Sequence, residues 1–258
     1  KTFVLQNQNA LIISPMLVSL KHVLTKAQKG RYAVGAFNFN NLETMQAIMD
    51  AAEAERSPVI LATSEGAIAY AGMDDLACLA RIAAKKSKRP IVFHLDHGKD
   101  VALVKKAIKS GYYSSVMFDG SSRSFKENIK ITKEIVKLAH KRKISVEAEL
   151  GAIAGIEDFV DVKERDAKLT NPKEVVEFVK QTKCDALAIA VGTRHGAYKY
   201  LKESTLDYPR LKKIAEACPV PLVLHGASSV PANIKRLCTK YGCEISGAKG
   251  VSEATLKK

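Results

Sequence analysis

Residues 90–98 read Pro-Ile-Val-Phe-His-Leu-Asp-His-Gly. The stretch opens on a proline, runs almost unbroken through apolar side chains, and closes on Asp96 and His97 beside a glycine. A strand covered on both faces must be apolar at successive positions, which is the habit of parallel sheets flanked by helices. The same form recurs on both sides of it. Candidate strands lie at Tyr32–Asn38, Pro58–Ser64, Pro90–Asp96, Ser115–Asp119, Ile144–Leu150, Ala186–Gly192 and Pro221–His225. Amphipathic helical patterns fill the intervals at Leu42–Glu55, Asp74–Lys86, Val101–Lys109, Phe125–Lys141, Pro172–Lys183 and Tyr208–Ala217. Asn171-Pro172 followed by Glu174 marks one helix start, with a capping side chain and then a proline at the first helical position.

Strand starts are separated by 26, 32, 25, 29, 42 and 35 residues. That regularity favours an α/β fold of the (β/α)8 TIM-barrel type over a doubly wound sheet. The longest interval carries a polar insertion, Ala152 to Leu169, of a length usual for an active-site lid or a disordered stretch. No linker or break in composition divides residues 16–258, which read as one TIM-barrel domain. An eighth strand is expected near residue 250, but Gly250 to Lys258 reads as a helix start. The expectation is therefore a barrel lacking its last strand and C-terminal helices.

With 258 residues, 47% hydrophobic and 26% charged, the chain has apolar content for a full core without disulfides or structural metal, and disorder is excluded. Its most apolar early stretch, Ala10 to Leu20, is interrupted by Ser14, Pro15 and Ser19. That falls short of the ~18 consecutive apolar residues of a membrane span, and the flanks are not those of a secretory signal. The formal net charge of +14 invites a nucleic-acid reading. The lysines are scattered, however, without a clustered run or interleaved aromatics, so neither nucleic acid nor membrane is expected as a partner. A positive field equally suits a small phosphorylated substrate. Cys78, Cys184, Cys218, Cys238 and Cys243 are odd in number and form no C-x-x-C pair, which reads as reduced thiols in a cytoplasmic protein.

The chemistry sits at the strand ends: Asn38, Ser64, Asp96-His97, Asp119, Glu149, His195 and His225. In a βα barrel these ends open on one face, so residues distant in sequence converge there. His94 and Asp96 share one side of the strand alternation, whereas His97 is expected to point the other way or to lie beyond the strand. His97-Gly98, His195-Gly196 and His225-Gly226 repeat one pattern on three modules. Any one of these histidines alone reads as well as a hydrogen-bonded strand-end residue; the repeat favours a metal. Three imidazoles with an open fourth position form a catalytic zinc set, and the glycines let the backbone turn or be approached. Asp96, beside a ligand, is placed to carry a proton. Asp119 reads as a metal ligand, as a carboxylate orienting a ligating imidazole, or as a helix cap. Glu149 reads in the first two ways or as a solvated loop carboxylate. Gly226-Ala227-Ser228-Ser229 is a candidate backbone nest for phosphate.

The stretches YAVGAFNFNN, SPVILATSEGAI, HLDHG, SVMFDGS, SVEAELG, LTNP, AVGTRHGAYK and PLVLHGASSVP occur in this order. In content and order they resemble the class II, metal-dependent fructose-bisphosphate aldolases and their tagatose-bisphosphate relatives. The resemblance begins around Met16 and leaves residues 1–15 as an N-terminal extension of unknown role. It implies an aldehyde-lyase of glycolysis and gluconeogenesis, homodimeric or homotetrameric. Such an enzyme cleaves fructose 1,6-bisphosphate reversibly to dihydroxyacetone phosphate and glyceraldehyde 3-phosphate through a zinc-stabilised enediolate. By the same resemblance His97, His195 and His225 hold Zn2+, and Asp96 is the general acid/base. Asp119 and Glu149 match positions for a second divalent metal or an alternative zinc location, with room for a monovalent cation. Glu157, on the long loop, matches a mobile carboxylate that moves the C3 proton. Ser64 resembles a contact to the aldehyde half, and Asn38 joins the substrate-binding set. Gly196 and Gly226, Ala227 and Ser228 resemble binders of the dihydroxyacetone phosphate half.

Three departures from the family stand out. Its last strand carries an Asn-x-Asp-Thr/Ser segment for phosphate and diol, followed by a helical tail; neither occurs here, which predicts weak binding of the phosphate half. Arg194 precedes His195 where a small residue is usual, and Ser122-Arg123 replaces a His-His pair. The rival readings are the tagatose-bisphosphate branch, a metal-dependent hydrolase on the same barrel, and a non-catalytic metal- or sugar-phosphate-binding relative. His94 and His97 lie three apart, not in an H-x-H pair, which argues against the hydrolase. Retention of the three histidines argues against the non-catalytic relative.

Overall fold

The computed structural model describes residues 16–157, 160–162, 168–196, 206–243, 245 and 248–257. Its first half comprises α1 (Leu20–Gly30), β1 (Gly35–Asn38), α2 (Leu42–Ala54), β2 (Val59–Thr63), α3 (Glu65–Ala71), α4 (Met73–Lys86), β3 (Ile91–Gly98), α5 (Val101–Ser110), β4 (Ser115–Phe118) and α6 (Phe125–His140). There follow β5 (Ser145–Leu150), β6 (Ala154–Glu157), β7 (Val160–Val162), α7 (Pro172–Thr182), β8 (Ala186–Ile189), β9 (Arg194–His195), α8 (Tyr208–Ala217), β10 (Leu222–Val223), α9 (Ala232–Lys240) and α10 (Glu253–Leu256). The expected N-terminal extension, residues 1–15, lies outside the described residues.

Seven strands form one curled, all-parallel sheet in the order β1-β2-β3-β4-β5-β8-β10. Each of the seven strands read from sequence is present. Helices return the chain between them, and most start on a capping side chain that satisfies an orphan backbone N–H: Asn41, Ser64, Asp100, Ser124, Asn171 and Asp207. β2, β3, β4, β5 and β8 are buried along their whole length, which is why their sequences are nearly continuously apolar. Residues alternate between two cores. Ile91, Phe93 and Leu95 of β3 face outward into the main cluster under the helices. Ile60, Val92 and Ala186 face inward and are plugged by Leu20, Val23 and Leu24 of α1. Above that plug the inward positions become polar: His94, Ser115 and Glu147 first, then Asp96 and Glu149, all buried. The apolar plug and outer core thus leave one end of the strands for chemistry. Among the described residues no helix is long and apolar enough to cross a membrane.

The structure departs from the sequence reading in five places. α1 and α9 carry helices where none is expected, and Ser64 starts the short helix α3. Within the insertion Ala152 to Leu169, β6 pairs antiparallel with β7 and parallel with β9, forming a small second sheet in the order β7-β6-β9. β3 runs on to Gly98, so His97 lies within the strand and not beyond it.

Candidate active site

The ladder between β3 and β4 pairs Leu95 with Val116 and Gly98 with Phe118, so β3 holds one residue more than its partner over that step. This is a β-bulge, a device that re-aims a side chain and bends a strand. His97 sits in it with φ +44°, left-handed backbone that a side-chain-bearing residue seldom adopts. Its N–H, lost to the ladder, donates to the Met117 sulfur at 3.4 Å. The strained turn corrects the alternation argument: adjacent residues Asp96 and His97 both face the site. Gly98 is needed for close packing, since a Cβ there would lie 2.5 Å from Val104 Cγ2 and 2.7 Å from the Met117 carbonyl. Gly196 and Gly226, by contrast, have left-handed φ values of +91° and +64°.

The three imidazoles converge. The His97 and His225 ring centres are 4.2 Å apart, and His195 stands edge-on to His97 at 4.9 Å and 6.3 Å from His225. His97 Nε2 lies 2.9 Å from His225 Nδ1, with Asp96 Oδ1 3.8 Å from the latter and 4.0 Å from the former. On the other side of its ring, His97 Nδ1 is 3.5 Å from Asp119 Oδ2 and 3.6 Å from Glu149 Oε2. Two groups therefore bring ligand atoms within 4.8 Å of one another: Asp96, His97 and His225, and His97, Asp119 and Glu149. His195 joins neither of these groups by that distance.

The partners of the outer nitrogens fix the tautomers. Carboxylates only accept, so His97 Nδ1 carries its proton toward Asp119 and Glu149. His225 Nε2 donates to Glu147 Oε1 at 2.7 Å. In neutral rings the two remaining lone pairs, on His97 Nε2 and His225 Nδ1, face each other at 2.9 Å. Such an arrangement is repulsive unless a cation or an extra proton lies against it. Imidazoles whose far N–H groups are held by carboxylates form the usual surroundings of a divalent metal, and the donor set fits one.

The electrostatics agree. Burial alone would raise the Asp96 carboxyl, but the imidazoles of His97, His225 and His94 and a hydrogen bond from Asn38 outweigh it and hold the group far below the ordinary carboxylate range. Asp119 is held equally low: burial opposes ionisation, while His97 and the Ser121 hydroxyl and N–H favour it. Burial and the neighbouring His97 work against a proton on His225, yet Glu147 and Asp96 prevail and raise its pKa. Burial lowers the pKa of His94, which bonds Ser115 Oγ at 2.9 Å and is packed inside the strand.

The other expected residues are distributed as follows. Asn38, at the end of β1, donates from Nδ2 to Asp96 Oδ2 at 2.8 Å. Ser64 Oγ caps α3 by accepting from Ala67 N at 3.2 Å. Asp119 Oδ1 accepts from the Ser121 N–H at 3.0 Å and from its hydroxyl, whereas α6 is capped by Ser124. Gly226 approaches the Arg194 backbone so closely that a Cβ would lie 2.5 Å from its carbonyl oxygen. Ala227 and Ser228 follow in the same loop, whose Ser228 carbonyl accepts from Val251 N at 3.1 Å. The backbone of Glu157 ends β6; its side chain lies outside the described residues.

Three supporting residues escaped the sequence reading. Glu147 stands two positions before Glu149, on the same face of β5, and its signal was the alternation itself. Asn128 Nδ2 donates to the Glu149 carbonyl at 2.9 Å. The Thr170 hydroxyl donates to the Leu150 carbonyl and accepts from Ala190 N, tying the tops of β5 and β8.

Comparison with known proteins places this geometry in context. The family model for Fructose-bisphosphate aldolase class-II matches residues 18–245. A fructose-bisphosphate aldolase of Helicobacter pylori is 45% identical over 237 residues, covering 92% of this chain and 77% of the relative. A D-tagatose-1,6-bisphosphate aldolase subunit of Klebsiella oxytoca is 43% identical over 233 residues, covering 90% and 81%. A crystal structure from Coccidioides immitis, described as a fructose-1,6-biphosphate aldolase, superposes with a TM-score of 0.73 at 38% identity, covering 86% of this chain and 78% of that one.

Proposed function

The chain belongs to the class II fructose-bisphosphate aldolase family, and from that premise we propose that it cleaves fructose 1,6-bisphosphate reversibly to dihydroxyacetone phosphate and glyceraldehyde 3-phosphate. One observation carries the reading: in neutral rings two imidazole lone pairs face each other at 2.9 Å beside the Asp96 carboxylate, an arrangement that a cation next to a base relieves. His97, His195 and His225 would hold zinc, which when bound supplies Lewis-acid polarisation of the ketose C2 carbonyl.

The remaining work falls to the chain's own groups. Asp96, kept ionised by its neighbours, accepts the C4 hydroxyl proton as C3–C4 breaks and returns it in condensation. Asn38 fixes the carboxylate by holding Oδ2. Asp119 and Glu149 orient His97 through its Nδ1. Glu157 delivers the proton that C3 of the departing dihydroxyacetone phosphate requires. Ser64 uses an oxygen lone pair on its helix cap and keeps its own proton for the aldehyde half. Gly196 and the Gly226, Ala227, Ser228 turn receive the phosphate-bearing half, in a positive overall field that attracts the dianion. The Ala152 to Leu169 segment excludes water while the carbanionic species exists.

A cleavage assay tests this directly. EDTA should abolish activity and zinc restore it, while borohydride with dihydroxyacetone phosphate present leaves it untouched, because no lysine Schiff base forms. Cleavage that survives EDTA overturns the reading. Tagatose 1,6-bisphosphate assayed alongside decides the C4 epimer; a preference for it would align the chain with relatives such as the Klebsiella protein.

A further inference from the structure

Lys99 follows the His97-Gly98 turn, and its backbone is clamped: the N–H groups of Lys99 and Asp100 both donate to Glu65 Oε1 at 2.8 Å. From that fixed root the side chain, about one-third exposed, brings Nζ to 3.5 Å from Asp119 Oδ2, on a carboxylate that is 4% exposed. Oδ1 of the same carboxylate is already taken by the Ser121 N–H and hydroxyl. Oδ2, which also faces the His97 Nδ1 proton at 3.5 Å, is thus the oxygen on which Asp119 can meet a cation, and the Lys99 ammonium sits against it.

We propose that the Lys99 ammonium is the resident cation of the Asp119 carboxylate, so that this site takes one divalent ion and excludes a second from His97, Asp119 and Glu149. The inference rests on the reading that the first ion binds through His97 Nε2 and His225 Nδ1. A second ion at His97 Nδ1 would demand that one imidazole ligate through both nitrogens, and hence lose both protons. An ammonium balances the carboxylates without that cost: the Nδ1 proton stays in place, and the bond it makes aims Nε2 at the first ion. Lys99 is therefore a specificity-determining residue for metal number, acting through Asp119.

Metal stoichiometry tests the proposal without reference to activity. The full chain is stripped with chelator and dialysed to equilibrium against graded cobalt(II), a visible stand-in for zinc, and ions per chain are counted by mass spectrometry. The wild type should saturate at one ion. Lys99→Met should take up a second over the same concentration range, and Lys99→Arg, which keeps the charge, should stay at one. Combining Lys99→Met with Asp119→Asn should return the count to one and so locate the second ion. A wild type that binds two ions, or Lys99→Met that still binds one, overturns the proposal. A wild type that binds none overturns instead the metal reading on which it rests.

Discussion

Asn38 and Asp96 meet across strands that do not pair: β2 lies between β1 and β3, yet the Asn38 Nδ2 donates to Asp96 Oδ2 at 2.8 Å. The bond leaves Oδ1 as the oxygen turned toward His225 and His97. The carboxylate is thereby oriented from the exposed end of β1 and not only by its own strand.

Asp96→Asn keeps the shape and the Asn38 contact while removing the base. Its kcat is expected to fall by about 10²–10⁴-fold with zinc content unchanged. Asn38→Ala loosens the carboxylate without removing it, so a fall of roughly tenfold is expected, in keeping with the worth of one hydrogen bond to a charged group. Loss of zinc in either variant would show Asp96 to be a structural ligand and not the proton carrier.

Glu147 holds His225 by its far nitrogen, and its second oxygen lies 3.6 Å from His94 Nε2. Glu147→Gln preserves volume but halves the reason for His225 to keep its proton on Nε2. Zinc affinity, measured by chelator competition, should weaken by about 10- to 100-fold, with kcat recovering at saturating zinc. An unchanged affinity would leave Glu147 as mere filling of the barrel interior.

How much of this was legible in the sequence depends on what enforces each feature. Strands such as β2 and β3 are buried on both faces, and burial writes itself into every position, so they are readable as apolar runs that stop at Ser64 and Asp96. The convergence of His97, His195 and His225 follows from strand ends sharing one face. The inward aim of His97 depends on a bulge with φ +44°, and backbone strain leaves no mark on residue types. Glu147 was legible in principle, because Glu-Ala-Glu on β5 places both carboxylates on one side; attention to the strand end alone passes over it. The pairing of β6 with β9 involves only Ala154–Gly155 against Arg194–His195, too short a ladder for a periodic signal.

Tyr113 provides a readout of the core beneath the site. Its ring stacks on Phe93 at 4.2 Å and its hydroxyl shares a 2.9 Å hydrogen bond with Thr63 Oγ1. Burial, only partly offset by Thr63, pushes the phenol up to about 12. A folded-state pKa above the unfolded value of about 10 means that the phenol's contribution is complete below pH 10 and is lost as pH rises toward 12. Urea titrations between pH 8 and 11 should show stability falling at the alkaline end, and Tyr113→Phe should flatten that fall. The variant should also lose about 1–2 kcal/mol at pH 8, because the Thr63 hydroxyl stays buried without its partner. The residual alkaline slope belongs to Cys184, whose thiol burial likewise pushes up to about 12, together with Cys218, raised by burial, and Tyr112, raised by its hydrogen bond to Asp74. Identical slopes in variant and wild type would remove Tyr113 as the cause.

Gly155 joins the insertion to the segment that carries His195. Its φ is +115°, and a Cβ there would lie 2.5 Å from the His195 carbonyl oxygen and 2.9 Å from its nitrogen. The β6 backbone that ends at Glu157 is thus laid directly on the backbone that carries His195. Gly155→Ala must force the two strands apart, which is expected to weaken zinc binding through His195 and to cut kcat by about 10²-fold through misplacement of Glu157. Gly242→Ala supplies the control, since Gly242 has a similar left-handed φ of +82° with nothing within 4 Å of its added Cβ. It should carry only the backbone strain, about 1–2 kcal/mol in a denaturation curve, with zinc affinity and kcat unchanged. Equal behaviour of the two variants would mean that left-handed strain, and not the contact between β6 and His195, accounts for the loss.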